Sequence, residues 1–206
     1  MDQGFNNYAL LASTGGNDLD ESDNLANAVH HLAHALEHTG HPEDIETAQS
    51  LRFEVFSLLL ENLTNKRGEN ELYRQSHGKI HPDWPEHMKK VATAGQHLLG
   101  FGSEQSRRHA ASIVMSLLEE LNRICHPSQK PAILLMVSYL HTQIGVIDIN
   151  AGKVMEAHKH FQTAFDISKV LSKQSGEHIL EEPMSLLANT YSMLGQFHNA
   201  FPLYEV

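Results

Sequence analysis

The stretch His141–Ile167, "HTQIGVIDINAGKVMEAHKHFQTAFDI", carries the main architectural signal of this chain. Its apolar residues recur three and four apart instead of alternating, which is the period of a helix face and not of a strand. Gly152 interrupts the pattern, and glycine suits a sharp turn between two helices. Small residues stand at Gly145, Ala157 and Ala164, with an aromatic at Phe161. The stretch reads as a helical hairpin.

The same period runs in both directions from it. It predicts helices over 22–39, 44–63, 86–100, 104–124, 131–149, 153–173, 182–194 and 197–206, with a short additional helix near Glu69–Gln75. Ser103 is placed to cap the fourth helix, and Pro131 falls in the first turn of the fifth, where a missing N–H costs nothing. No alternating strand pattern stands out. His-Pro pairs precede three helices, at His41-Pro42, His81-Pro82 and His126-Pro127, 40 and then 45 residues apart. Spacing of that size suggests helical hairpins stacked side by side. The first 20 residues, rich in Gly, Asn, Asp and Ser, read as a flexible leader.

Ile144-Gly145, Gly152, Ala157, Phe161 and Ala164 have the spacings of a tetratricopeptide repeat, which they resemble. Leu187, Ala188, Tyr191, Gly195, Ala200 and Tyr204 resemble it again. Gly195 lies 43 residues after Gly152, a long period similar to that of the kinesin-light-chain type. Upstream, Val91, Ala94, Gly95, Leu98 and Gly102 look like a first helix and turn, and Ala28, Leu32, Ala35 and Leu36 like a second helix. Asp148, standing where the motif has an aromatic, and Pro202, inside an expected helix, depart from the pattern. The resemblance implies an all-α solenoid of stacked antiparallel hairpins, with degenerate repeats over 21–138 and two units over 139–206, the last incomplete. By analogy with the family, first helices line a concave groove. That places Tyr139, Thr142, Val146 and Ile149, with Glu182, Ser185, Asn189 and Ser192, towards a partner peptide or helix. An unfinished last unit would leave apolar surface wet, so self-association through the C-terminal end, or fraying beyond about Gln196, is expected.

Composition narrows the function. The 206 residues are 41% hydrophobic and 19% charged, an ordinary globular balance. With 25 acidic against 15 basic side chains, the chain is poorly suited to neutralise nucleic-acid phosphates. The partner that the resemblance implies is a protein or peptide. Sixteen histidines would carry the net charge from −10 to positive values in acid. Cys125 is the only cysteine, so no internal disulfide forms and a cytoplasmic location is expected. No apolar run approaches the length of a membrane span on this reading, and the N-terminus lacks the basic start of a secretory signal.

The segment "HHLAHALEHTGH" is the one cluster with metal-ligand character. His30, His34, His38 and His41 fall within an arc of about 80° on a helix, opposite Leu25, Ala28, Val29, Leu32, Ala35 and Leu36. They read as a solvated face. His30, His34 and His38 have the i, i+4 spacing that can take zinc or nickel, with only Glu37 nearby as a further ligand. No phosphate loop, dinucleotide fingerprint, zinc-protease helix or nucleophile elbow is present. His158 and His160, two apart, point away from each other on a helix, and Cys125 reads as packing. The leading expectation is a non-enzymatic adaptor without a cofactor. Two alternatives stand beside it: an intracellular peptide-sensing regulator of the same fold, and an enzyme or metal-binding protein using the helix at 30–41.

Overall fold

The computed structural model describes residues 28–29, 31–100, 103–175 and 180–204. All regular structure among them is helical. The helices are α1 (31–38), α2 (Pro42–His77), α3 (Trp84–Leu98), α4 (Glu104–Ile124), α5 (Lys130–Asn150), α6 (Val154–Ser175), α7 (Glu181–Met193) and α8 (Phe197–Tyr204). The expected leader, Leu25, His30, Gly102 and Val206 lie outside the described residues.

Sequence patterning anticipates most of these helices, and α2 is the exception. The expected break after residue 63 does not occur, and α2 runs unbroken through the short helix expected at Glu69–Gln75. Residues 62–77 hold no proline, and Lys66–Glu69 and Arg74–Glu71 ion pairs lie one turn apart along the helix. The single Gly68 costs about 1 kcal/mol in a helix interior, too little to end a run of good helix formers. Polar periodicity was too weak there to show the helix.

Helix ends follow local chemistry. Ser103 caps α4, its hydroxyl oxygen accepting from the Ser106 N–H. Pro131 sits in the first turn of α5, as its missing donor favours. The His-Pro marks have a structural explanation at two of their three sites. His126 Nδ1 accepts the Ser128 N–H, and His81 Nδ1 accepts the Asp83 N–H. In both cases the imidazole satisfies a donor just before a helix, so part of the histidine count is capping.

The chain divides into two compact units, 1–62 and 63–206, with the division inside α2. In the first, Glu37 on α1 accepts two bonds from Arg52 on α2, at 3.0 and 2.9 Å. Val29, Ala33, Ala48, Phe56 and Leu59 are buried there.

In the second unit α3 to α8 pack in sequence order. Neighbours are antiparallel: Trp84 at the start of α3 reaches Glu120 near the end of α4, and Arg108 early in α4 reaches Asp148 late in α5. Ser138 of α5 meets Ser168 of α6, while His141 meets His160. The boundary expected at 138 falls inside α5. Two hairpins repeat in detail. Gly152 and Gly195 both adopt positive φ, 74° and 70°. The N–H after each glycine bonds the carbonyl five residues back, Lys153 to Asp148 and Gln196 to Tyr191, the helix-ending motif that favours glycine. Gly145 and Ala188, and likewise Ala157 and Ala200, are buried at the same 43-residue offset. Ala157, Phe161 and Leu187 form the core where α5, α6 and α7 meet.

Two departures from the repeat pattern are accommodated. Pro202 lies within α8, and Asp148 is buried with Arg108 as its partner. The expectation that no apolar run reaches membrane-spanning length is corrected: Pro127–Asn150 is long and apolar enough by length and composition. Part of that apolar surface is buried, at Ile133, Leu140 and Ile147, where α5 meets α4 and α6.

Candidate functional site

Helix geometry sorts the eight predicted groove positions. On α5, Tyr139 and Val146 are seven residues apart and differ by only about 20° around the axis. Tyr139 is 45% exposed, and Leu135, one turn earlier, is 43% exposed. Leu135 was missed in the sequence, although its position four residues before Tyr139 was the available signal. Thr142 and Ile149 lie about 60° and 80° off this line, and the structure turns both inward. Thr142 is buried and donates its hydroxyl to the Ser138 carbonyl, so it has no surface to offer a ligand. Ile149 and, partly, Val146 pack against the Ala157–Phe161–Leu187 core.

On α7, Glu182, Ser185 and Asn189 are exposed. Ser192 is half-buried and donates to the Ala188 carbonyl. Asn189 Oδ1 accepts the Tyr204 hydroxyl at 2.6 Å, so α8 reaches back to this position. Tyr139 and Glu182 sense each other across the two helices: burial first, and then the Glu182 charge, raises the Tyr139 phenol above its ordinary range. The exposed candidate face therefore comprises Leu135 and Tyr139 on α5 with Glu182, Ser185 and Asn189 on α7.

Behind it lies a polar cluster that sequence reading did not assemble. Arg108 on α4 donates to Glu104 Oε1 at 2.8 Å and to the buried Asp148 carboxylate. Lys153 also reaches Glu104, at 3.3 Å. Bonds from Arg108 and then Lys153 hold the Glu104 carboxyl below its ordinary range, and bonds to Glu104 and Asp148 raise Arg108. Asp148 Oδ2 lies 3.8 Å from His160 Nε2, and His160 Nδ1 lies 2.9 Å from His141 Nδ1. His158 turns the other way, as its two-residue offset requires. Thr190 donates its hydroxyl to the Leu187 carbonyl, so it accepts from His158 Nδ1 at 3.0 Å. Asp148 had already been singled out as an odd residue at an aromatic position, but its partners lie 40 and 12 residues away, and only packing brings them together.

Among the described residues no three metal-ligating side chains converge. On α1, His38 Nδ1 is 2.9 Å from the His34 carbonyl oxygen, and the rings are 4.2 Å apart between centroids. His38 therefore has only Nε2 left to offer a metal. His30 lies outside the described residues. Cys125 is buried, its thiol 3.8 Å from the Asn122 carbonyl oxygen.

No family model matches the chain, and no curated protein matches it. A solved structure described as a DHF58 filament is similar at a TM-score of 0.44 and 16% identity, over 91% of this chain and 88% of that one. A likeness that loose carries no argument about fold or function.

Proposed function

We propose that this chain is a protein-interaction adaptor: a tetratricopeptide-like solenoid that holds a partner peptide or helix against the face shared by α5 and α7. The observation that carries the reading is the pair Tyr139 and Glu182. They stand 43 residues apart, on alternate helices, exposed and within electrostatic reach of each other. Stacked hairpins that present every second helix to one side suit a long, preformed peptide surface. Leu135 and Tyr139 offer apolar and aromatic contact, Glu182 a negative charge, and Asn189 an amide once Tyr204 yields it. Such a face favours an extended or helical segment carrying a basic residue beside an apolar one. The acidic composition supports a protein partner over nucleic acid, and the buried lone thiol suits the cytoplasm.

Selection of a displayed random-peptide library on the full chain tests this reading. Enriched peptides should lose binding to Tyr139→Ala and Glu182→Lys variants and keep it for Glu156→Ala, an exposed position on α6. Enriched peptides indifferent to all three changes would contradict it.

A further inference from the structure

The contact between His141 and His160 holds two imidazoles from adjacent helices with Nδ1 facing Nδ1 at 2.9 Å. A hydrogen bond across it requires one nitrogen to carry the proton and the other a lone pair. With both rings neutral they must be opposite tautomers. His160 Nε2 faces Asp148, so the arrangement that serves both ends makes His160 the Nε2–H tautomer. Its Nδ1 then accepts from Nδ1–H of His141. One added proton is tolerated, because a charged His160 can donate from Nδ1 while His141 changes tautomer. A second proton is not. Two N–H groups would then face each other, on two cations.

We propose that the His141–His160 contact is an acid-labile latch, which clips α5 to α6 while at least one of the two rings is neutral and releases when both are protonated. The surroundings reinforce this sense. From α4, Arg108 faces His160 as a fixed positive charge, and Glu104 faces Arg108 and Lys153. From α5, Asp148 is the anion facing His160, but it is already shared with Arg108. On the side of α7, His158 points to Thr190 and Tyr191 and not into the pair. Burial and then the neighbouring His160 hold His141 down to about 4, and burial lowers His160 against the pull of Asp148. On release, the His160 imidazolium is drawn towards Asp148, and the half of α5 that carries Tyr139 loses a tie to α6. The Ser138–Ser168 and Phe161 contacts persist, so the change is local.

Two measurements on the full chain decide it. Two-bond proton–nitrogen spectra at neutral pH should show one ring of the pair as Nδ1–H and the other as Nε2–H. Two Nε2–H rings would overturn the latch without any variant. Hydrogen exchange, corrected for intrinsic rates, should accelerate about tenfold in the facing turns of α5 and α6 between pH about 7.5 and about 4.5. A His141→Phe variant, whose ring cannot be protonated, should abolish most of that acceleration and leave α3 and α4 as in the wild type. Equal acceleration in the variant, or none in the wild type, would overturn the proposal.

Discussion

A methyl group placed on Gly145 would stand 2.5 Å from Cε1 of Phe161, closer than two carbons can approach. Phe161 is 1% exposed and lies in the core with Ala157 and Leu187. The α5–α6 crossing is thus built around a missing side chain. Gly145→Ala should destabilise the protein by about 1–3 kcal/mol despite alanine's better helix propensity, and Gly145→Val should do worse. Urea denaturation followed by circular dichroism measures this, and a stabilised Gly145→Ala would show that the helices do not meet there. Ala157→Trp, at a residue with no exposed surface, should cost several kcal/mol for the same reason.

Asp148 is 2% exposed as a side chain, and Arg108 is its partner. Removing the guanidinium strands a buried charge. Arg108→Met should cost about 3–5 kcal/mol, and Arg108→Met combined with Asp148→Leu should recover much of it. Additive losses in the double variant would show that the two side chains do not interact.

This pair also marks where sequence reading stops. The α5–α6 hairpin was legible because Gly145, Gly152, Ala157 and Phe161 stand at the spacings of a known helical repeat, with glycine at the turn. The end of α2 was not, because after Leu63 its only large apolar side chains are Leu72 and Tyr73, too few to trace a helix face. Of the candidate face, Tyr139, Glu182, Ser185 and Asn189 are exposed, but Thr142 and Ile149 turn inward. A spacing of three, four, three drifts around the helix by about 80° over ten residues, so a list carried over from a repeat pattern leaves the stripe. The Arg108–Asp148–His160–His141 cluster needed three helices to be docked before it existed at all.

Acid should destabilise the fold. Burial is the first cause lowering His141, His158 and His160, so below the ordinary imidazole range the unfolded chain takes up protons that the folded chain refuses. Their folded values lie below the unfolded ones. Stability is therefore complete above pH about 6.5 and falls as pH drops towards about 4. Because solvent reaches part of each ring, the loss attributable to His141 is about 1–2 kcal/mol, less than the full shift implies. Denaturation midpoints across this range measure it, and a flat profile would contradict the burial of these rings.

The histidine stripe on α1 should be inert. After chelation and dialysis the protein should hold no stoichiometric zinc or nickel, and His34→Ala should change stability by no more than about 0.5 kcal/mol. A bound metal that disappears in His34→Ala would restore the metal-binding reading.

Phe197 and Phe201 stack at 6.4 Å on α8 and are 53% and 62% exposed, beside Met193 at 58%. At about 25 cal/mol per Å², a few hundred Å² of such surface represents several kcal/mol available to association. Concentration-dependent association is therefore expected in sedimentation experiments, and Phe201→Asp should abolish it. A monomer at every concentration would rule this face out as a self-contact.

The central claim, that α5 and α7 together present the partner-binding face, is tested most directly by site-specific photo-crosslinking in native cell extract. A photoreactive residue is placed in turn at Tyr139, at Ser185 and at exposed Glu156 on α6. The account predicts that the first two positions capture the same partner, that Glu156 does not, and that Glu182→Lys abolishes the capture at Ser185. Capture at Glu156 alone, or different partners at Tyr139 and Ser185, would contradict it.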